Sequence, residues 1–484
     1  MKRKSLIVLM LVMTLVLSLV VPGYANPGEP AQNQKGPAYQ AIPAFDQRIV
    51  KTVDLDRALE HIRYMSKEIG TRPGGLENEK IAAEYIDNYF KKLGYDTEIQ
   101  TFNVGNQYIG NITVHDAEDW FGQGDWGFNE WHGTVWETGA SRSGLITGDD
   151  SKVSGYVVDC GTGGADEFPA DVEGNIALVE RGESFNNLVS RATNAGAVGL
   201  LIYSVTGSRG QYGSAFSPNV SADIPVLGLA LAQGQWLKEM AAEFPVYVDI
   251  QTWSYTDLTS QNVVAFKPAK DADAPIVVIG GHYDSVVGAP GANDNLSGTA
   301  VVMELARVFK SVNTDYEIRF AVWGSEERGL LGAREYVNRL SDEEIERHIA
   351  NYNADMVATS EYERAPYFFV ETVDGNPNIV TETMLAAADR LGYDEVRHSR
   401  FSSSDHVPFH NAGIPAALFI WLGGEGTPQN YTIERFYHTP QDTLEENVCP
   451  DRLQLALEVI GAAVFDVVRK PVPALERSAV GRER

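Results

Sequence analysis

Residues 280–298, GGHYDSVVGAPGANDNLSG, set one histidine and two aspartates among glycines and a proline, directly after the apolar run Pro275–Ile279. His282 and Asp284 are two apart, so on an extended backbone their side chains leave on the same side. That spacing suits an imidazole holding a metal ion while the carboxylate steers the ring. Asp294 sits on the returning limb, ahead of a helix that Ser297 is placed to cap. A plainer reading also fits, because aspartates in Gly/Asn-rich loops commonly close local turns. In FAVWGSEERGLLGAREYV, residues 320–337, a strand ends at Trp323 with Glu326 and Glu327 at its mouth. Adjacent side chains diverge, so one carboxylate can ligate a metal while the other works as a base. Acidic residues in a helix first turn also simply suit the helix dipole. NADMVA, 353–358, puts Asp355 in an apolar run, where a carboxylate is costly without a partner or a cation. RFYHTPQDT, 435–443, sets Tyr437 and His438 before a proline turn, and a lone histidine serves packing as readily as ligation.

These residues need elements to carry them. Ile276–Ile279 is short, β-branched and apolar and reads as a buried strand; a helix is expected over about 297–310, a strand over Glu317–Trp323 and a helix over about 329–340. Strands and helices alternating at such lengths imply a layered α/β sheet with functional loops at strand ends. Ahead of them, Leu55, Leu59, Ile62 and Met65 recur at helical spacing from Asp54 onward, and Ile81, Ala82, Tyr85, Ile86, Tyr89 and Phe90 mark a second amphipathic helix. TEIQTF, 97–102, alternates like a strand. Residues 119–136 are dense in Trp, Gly and Asp without a clear period. Short apolar strands resume from about 153.

The chain of 484 residues is long enough for two or three domains. It opens with Met-Lys-Arg-Lys, an apolar run from Leu6 to Val21 and a small-residue site ending at Ala25, the order of a signal peptide. Residues 1–25 are therefore expected to be a signal peptide cleaved after Ala25, leaving a secreted, extracellular protein with no membrane contact after cleavage. The formal charge is −27, and losing Lys2, Arg3 and Lys4 makes it three more negative. Such a field repels a phosphate backbone, so no nucleic-acid partner is expected. Cys160 and Cys449 are the only cysteines; they make no disulfide framework and read as buried thiols, with one long-range bridge as the alternative. Acidic loops such as Asp149-Asp150 leave Ca²⁺ possible but unsupported.

Taken together, the pieces resemble the M28 family of zinc aminopeptidases. The pattern is a strand followed by H-x-D, then N-D-N, S-E-E-x-G-L-x-G, N-x-D-M and Y-H-T-x-x-D-T, all in family order. GNIALVERGESFNNLVSRATNAGAVGLLIYS, followed by IPVLGLA at 224–230, resembles a protease-associated (PA) domain, which several family members carry ahead of the H-x-D strand. The expected architecture is α/β: a mixed central β-sheet flanked by helices, of the zinc-peptidase type, with an inserted, mainly β PA domain. In domain terms, 26–50 is a leader or pro-segment, 51–129 the first part of the peptidase domain and 130–253 the PA insertion. The catalytic part spans 254–470 and a tail covers 471–484.

The resemblance implies two Zn²⁺ per chain. His282 and Asp355 would hold one, Glu327 and His438 the other, and Asp294 would bridge them. Asp284 would orient His282, Glu326 would be the general base, and Tyr437 would hydrogen-bond the oxyanion. The implied activity is removal of the N-terminal residue, of a hydrophobic, Leu-like kind, from peptides with a free N-terminus. A monomer is expected. Some relatives carry an arginine just before S-D-H and use it near the substrate amine, where this chain has Ser403; His406 and His410 read as structural. FIWLGGEG, 419–426, fits either a pocket for a hydrophobic side chain or a plain core strand. The same metals also serve an M28-like carboxypeptidase or glutaminyl cyclase, and some PA-plus-peptidase-like chains are non-catalytic binding proteins. A serine hydrolase built on Ser402–His406 lacks a G-x-S-x-G elbow.

Overall fold

The computed structural model describes residues 46–115, 135–140, 151–205, 216–427 and 430–469. The expected signal peptide, residues 26–45 of the expected leader, the boundary at 130, the Asp149-Asp150 loop and the tail lie outside the described residues. No helix among the described residues is long and apolar enough to cross a membrane.

Among the described residues, fourteen strands form one connected ladder. In chain order they are β1 (Asp96–Val114), β2 (Val135–Ala140), β3 (Val153–Asp159), β4 (Ile176–Glu180), β5 (Gly199–Tyr203), β6 (Val226–Leu229) and β7 (Tyr247–Lys267). They continue with β8 (Ile276–His282), β9 (Glu317–Trp323), β10 (His348–Ala354), β11 (Tyr367–Thr372), β12 (Val396–Arg400), β13 (Ala416–Thr427) and β14 (Asn430–Thr432). The catalytic sheet runs β1-β7-β9-β8-β10-β13-β11-β12. Its centre, β9, β8, β10 and β13, is parallel. β1, β7 and β11 add antiparallel partners. The sheet is therefore mixed, as expected, with helices on both faces. Leu296–Lys310 and Pro450–Arg469 pack on one side with Val277, Ile279 and Phe320; Leu331–Arg339 and Phe409 cover Ile276, Val278 and Trp323 on the other. Central parallel strands buried on both faces explain the unbroken apolar run ahead of His282.

β1 and β7 are longer than the sheet needs. They stay paired from Asp96↔Phe266 to Val114↔Val248, with register breaks between Asn103 and Gln107. Beyond that bulge, β1 takes up β2 and β7 takes up β3, so β1, β2, β6, β5, β4, β3 and β7 close into a ring. Ile112, Leu178, Leu201, Leu227 and Ile250 share one core there. This ring is the inserted module, and strand pairing carries its ladder back to Ile109 on β1.

Local chemistry sets the first helices. The Asp54 side chain accepts from Arg57 N and starts Leu55–Arg63. In Glu77–Lys92, Ala82, Ile86 and Phe90 are buried, but Ile81 is 40% exposed. Ile81 follows the apolar pattern in composition yet lies off the face defined by the other three. Ser297 is not the cap of Leu296–Lys310. Asn295 is: its side chain accepts from Gly298 N. Ser297 Oγ instead donates to Asn293 O and accepts from Val357 N. Gly298 is required there, since a Cβ would stand 2.1 Å from Ala354 O. Cys160 and Cys449 are both free and buried.

Candidate metal centre

All the candidate residues except Tyr437 and His438 lie at carboxyl ends of the parallel strands, where open α/β sheets place their ligands. His282 ends β8. Glu326 and Glu327 form a 3-10 turn after β9. Asp355 follows β10, and Asp294 comes from the loop after β8. His438 and Tyr437 arrive from the loop after β14.

These side chains converge. Asp294 faces two ways: Oδ1 is 3.3 Å from His282 Nε2 and Oδ2 is 3.1 Å from His438 Nε2. Asp355 Oδ1 stands 3.5 Å from His282 Nε2, and Glu327 Oε2 stands 3.1 Å from His438 Nε2. Glu326 Oε2 is 3.8 Å from His282 Nε2. Ligand atoms of His282, Asp294 and Glu327 lie within 4.8 Å of one another, as do those of His282, Glu326 and Asp355. The Tyr437 ring stacks on its neighbour His438, with centroids 3.7 Å apart.

Asp284 does more than steer a ring. Its Oδ1 is 3.3 Å from His282 Nδ1 and also accepts from Glu326 N, while Oδ2 accepts from Glu327 N. One carboxylate thus fixes the imidazole and the paired-glutamate turn together.

The electrostatics follow from crowding. Burial works to lower the His282 pKa, but Glu326, Asp355, Asp284 and Asp294 carry it well above its usual value. His438 behaves alike, with burial outweighed by Glu327 and Asp294. Burial would raise Asp294, yet the two imidazoles hold it below the normal carboxylate range. Glu326 is pushed well up, first by burial and then by Asp405, Glu327 and Asp355, with His282 opposing. Three residues here take left-handed backbone: Ser325 (φ 54), Met356 (φ 57) and His438 (φ 56). Such conformations cost about 1–3 kcal/mol each and persist where surrounding structure over-determines them.

The donor set fits a metal. Imidazole nitrogens and carboxylate oxygens match zinc's preferences, and no thiol takes part. Glu327 Oε1 and Asp355 Oδ1 are buried without a hydrogen-bond donor among the described residues. A buried carboxylate oxygen left in that state is costly, and a cation removes the cost.

A supporting layer escaped the sequence reading. Asp442 accepts from Asn293 N and Asp294 N, both at 2.9 Å, and from Asn447 Nδ2. Burial carries its pKa up to about 7. Asn293 Oδ1 accepts from Ala358 N, and Asn295 pairs with Ala354 O and Met356 N, so the residues flanking Asp294 hold the segment bearing Asp355. Ser404 Oγ donates to Asp355 Oδ2. Arg72, fully buried, donates to Tyr283 O, Pro290 O and Gly291 O and so grips both limbs of the metal loop. Asp442, Asn293, Asn295 and Ser404 stand inside the Y-H-T-x-x-D-T, N-D-N and S-D-H pieces, whereas Arg72 belongs to none of them. His406 is buried with Nε2 2.9 Å from Phe401 O, and His410 sits in the last turn of His406–Asn411.

A cavity of about 670 Å³ adjoins the cluster. Met356, Phe401, Leu418, Ile420 and Ile433 line it beside Glu326 and Tyr437. FIWLGGEG lies on β13, which contributes both to the core and to the cavity lining. Alternate residues of β13 split, with Leu418 and Ile420 toward the cavity and Phe419 and Trp421 in the main core.

Comparison with known proteins is consistent across sequence and structure. The model of peptidase family M28 matches residues 262–464, and that of the PA domain matches residues 153–237. The chain is 35% identical over 446 residues to aminopeptidase YwaD of Bacillus subtilis, covering 91% of this chain and 90% of that one. It is 29% identical to leucine aminopeptidase 2 of Trichophyton rubrum over 63% of this chain and 64% of the relative. Among solved structures, BSAP, a zinc aminopeptidase from Bacillus subtilis, superposes with a TM-score of 0.63 at 35% identity, covering 86% of this chain and 96% of that one. An aminopeptidase from Aneurinibacillus sp. strain AM-1 gives 0.55 at 30% identity, over 88% and 98% of the two chains.

Proposed function

The chain belongs to peptidase family M28, and from that premise we propose a two-zinc aminopeptidase that removes an apolar N-terminal residue from peptides. As an aminopeptidase of the M28 zinc peptidase family it is a metallo-exopeptidase, a hydrolase. The observation that carries the two-ion reading is Asp294. Its two oxygens are directed to different imidazoles, each with its own further carboxylate. His282 and Asp355 would hold one zinc, His438 and Glu327 the other, with Asp294 placed between the two imidazoles to serve both. Bound zinc supplies Lewis acidity at the scissile carbonyl and at the attacking water.

The chain's own residues do the rest. Glu326, raised by burial, takes a proton from water as the carbon–oxygen bond forms. It then gives that proton to the departing amine as the carbon–nitrogen bond breaks. Tyr437 donates its hydroxyl to the carbonyl oxygen as negative charge builds there. Asp284 keeps His282 and Glu326 in register. The free α-amino group of the substrate meets the acidic cluster, which restricts cleavage to the first residue. The cavity over Met356, Leu418 and Ile420 takes that residue's side chain. The Met1–Ala25 segment supports export of the enzyme.

The test pairs metal analysis with a panel of aminoacyl-anilides and one N-acylated peptide. The expected result is two zinc equivalents and fastest release from leucyl or phenylalanyl anilides. Cleavage of the blocked peptide alone would overturn the aminopeptidase reading.

A further inference from the structure

Two cavities meet at the metal cluster, and Glu327 and His438 line both. The first reaches over Met356, Leu418 and Ile420, and Glu326 and Asp355 also stand there. The second, about 470 Å³, has a different origin. Ser285, Arg328 and the bend of β1 at Asn106 and Gln107 form its catalytic side. Gly139 and the segment Phe216–Asn219 form the opposite side, and these belong to the inserted ring.

The module's wall is pre-formed. Phe216 pairs with Gly228, which lies opposite Gly139 on the neighbouring strand. A Cβ on Gly228 would stand 2.1 Å from Phe216 O, and one on Gly139 would stand 2.6 Å from it. Two opposed glycines therefore let the 216–217 backbone lie directly on the strands. The Phe216 ring stacks on Phe185 at 5.6 Å, with the Arg181 guanidinium against both rings. On the catalytic side, Arg328 donates to Asn106 O at 2.6 Å and ties the Glu327 turn to the bend of β1. Gln107 also presents a buried amide oxygen without a hydrogen-bond donor among the described residues.

A substrate held by its first residue in the cavity over Met356, Leu418 and Ile420 must continue past the scissile bond. The second cavity is the opening that begins at the same two metal-cluster residues. Its amide and hydroxyl groups suit the backbone N–H and C=O of an extended peptide and select little among side chains. Resting on the aminopeptidase reading, we propose that this cavity binds the residues following the scissile bond. Phe216–Asn219 of the inserted module is then one wall of the peptide site, and the module helps set which lengths of peptide are cleaved well.

The experiment is a length series on the full chain with zinc bound: leucyl-anilide, then leucine-led di-, tri- and tetrapeptides. In the wild type, KM is expected to fall as residues are added after the leucine. Ser217→Tyr places a ring in the cavity from an exposed position. It should lower the tetrapeptide-to-anilide ratio of kcat/KM at least tenfold, with the loss in KM. Lys238→Ala, on a helix of the same module away from the cavity, should keep the wild-type ratio. A wild-type KM independent of length, or a ratio unmoved by Ser217→Tyr, overturns the inference. Absence of aniline release from wild-type enzyme is a different failure, since it removes the aminopeptidase reading itself.

Discussion

Replacing Arg72 by methionine should loosen the metal loop without touching any residue that faces the metals. Arg72 is wholly buried. Its short bonds to the loop are Nε to Tyr283 O and Nη1 to Pro290 O, both 2.7 Å. Charge-assisted bonds of this kind are worth about 1.5–3 kcal/mol each. Methionine refills much of the volume and relieves the burial of a charge, so the net loss is about 3 kcal/mol rather than the full sum. For a protein of this size that is a fall of roughly 3 °C in melting temperature. Burial lowers the Arg72 pKa to about 10, with Asp284, Asp442 and Asp294 opposing, so it remains a cation at neutral pH. It therefore offsets repulsion among carboxylates when no metal is bound. Zinc supplies the same offset, so the deficit of Arg72→Met should be larger in EDTA than in excess zinc. Calorimetric scans of both proteins in both conditions measure this. A melting temperature equal to wild type in EDTA, or an identical deficit in the two conditions, would refute the reasoning.

Glu326→Gln should retain zinc while turnover falls roughly 10²–10⁴-fold; wild-type rates on leucyl-anilide would remove it as the base. His438→Ala should lower bound zinc, read by elemental analysis, and an undiminished content would remove it as a ligand. His348 gives a pH test far from the metals. Burial holds its folded pKa down to about 4, against ~6.5 when unfolded. Between those values the unfolded chain binds more protons, so stability falls as the pH drops from about 6.5 toward 4. The residue accounts for about 2 kcal/mol of lost stability between pH 7 and pH 5. His348→Gln should flatten that part of the pH–stability curve, and an unchanged slope would count against the assignment.

What was legible in the sequence was what the strand ends carry. The motif pieces around His282, Asp294, Glu326, Asp355 and His438 are local, and their strands announce themselves by unbroken apolar runs. The residues holding them are less visible because their partners are distant in sequence. Arg72 lies in a turn that reads as an ordinary Pro-Gly punctuation, and its bonds go to carbonyls more than two hundred residues away. Ser297 and Asn295 are both good caps, and only the approach of Ala354 O decides between them. TEIQTF marked the start of β1, but the strand continues to Val114 through a glycine-containing, non-alternating stretch. Pairing with β7, not local pattern, extends it.

That pairing makes the two covalent links to the inserted ring neighbours along their whole length. Asn103 and Thr259 face each other directly across the ladder. A two-residue Asn-Gly turn between them would make an ordinary hairpin, closing the chain with both strand ends where they already lie. The catalytic sheet is thus spliceable at a single rung. A gene could gain or shed the ring at one hairpin tip, leaving the strands that position the candidate metal ligands in place.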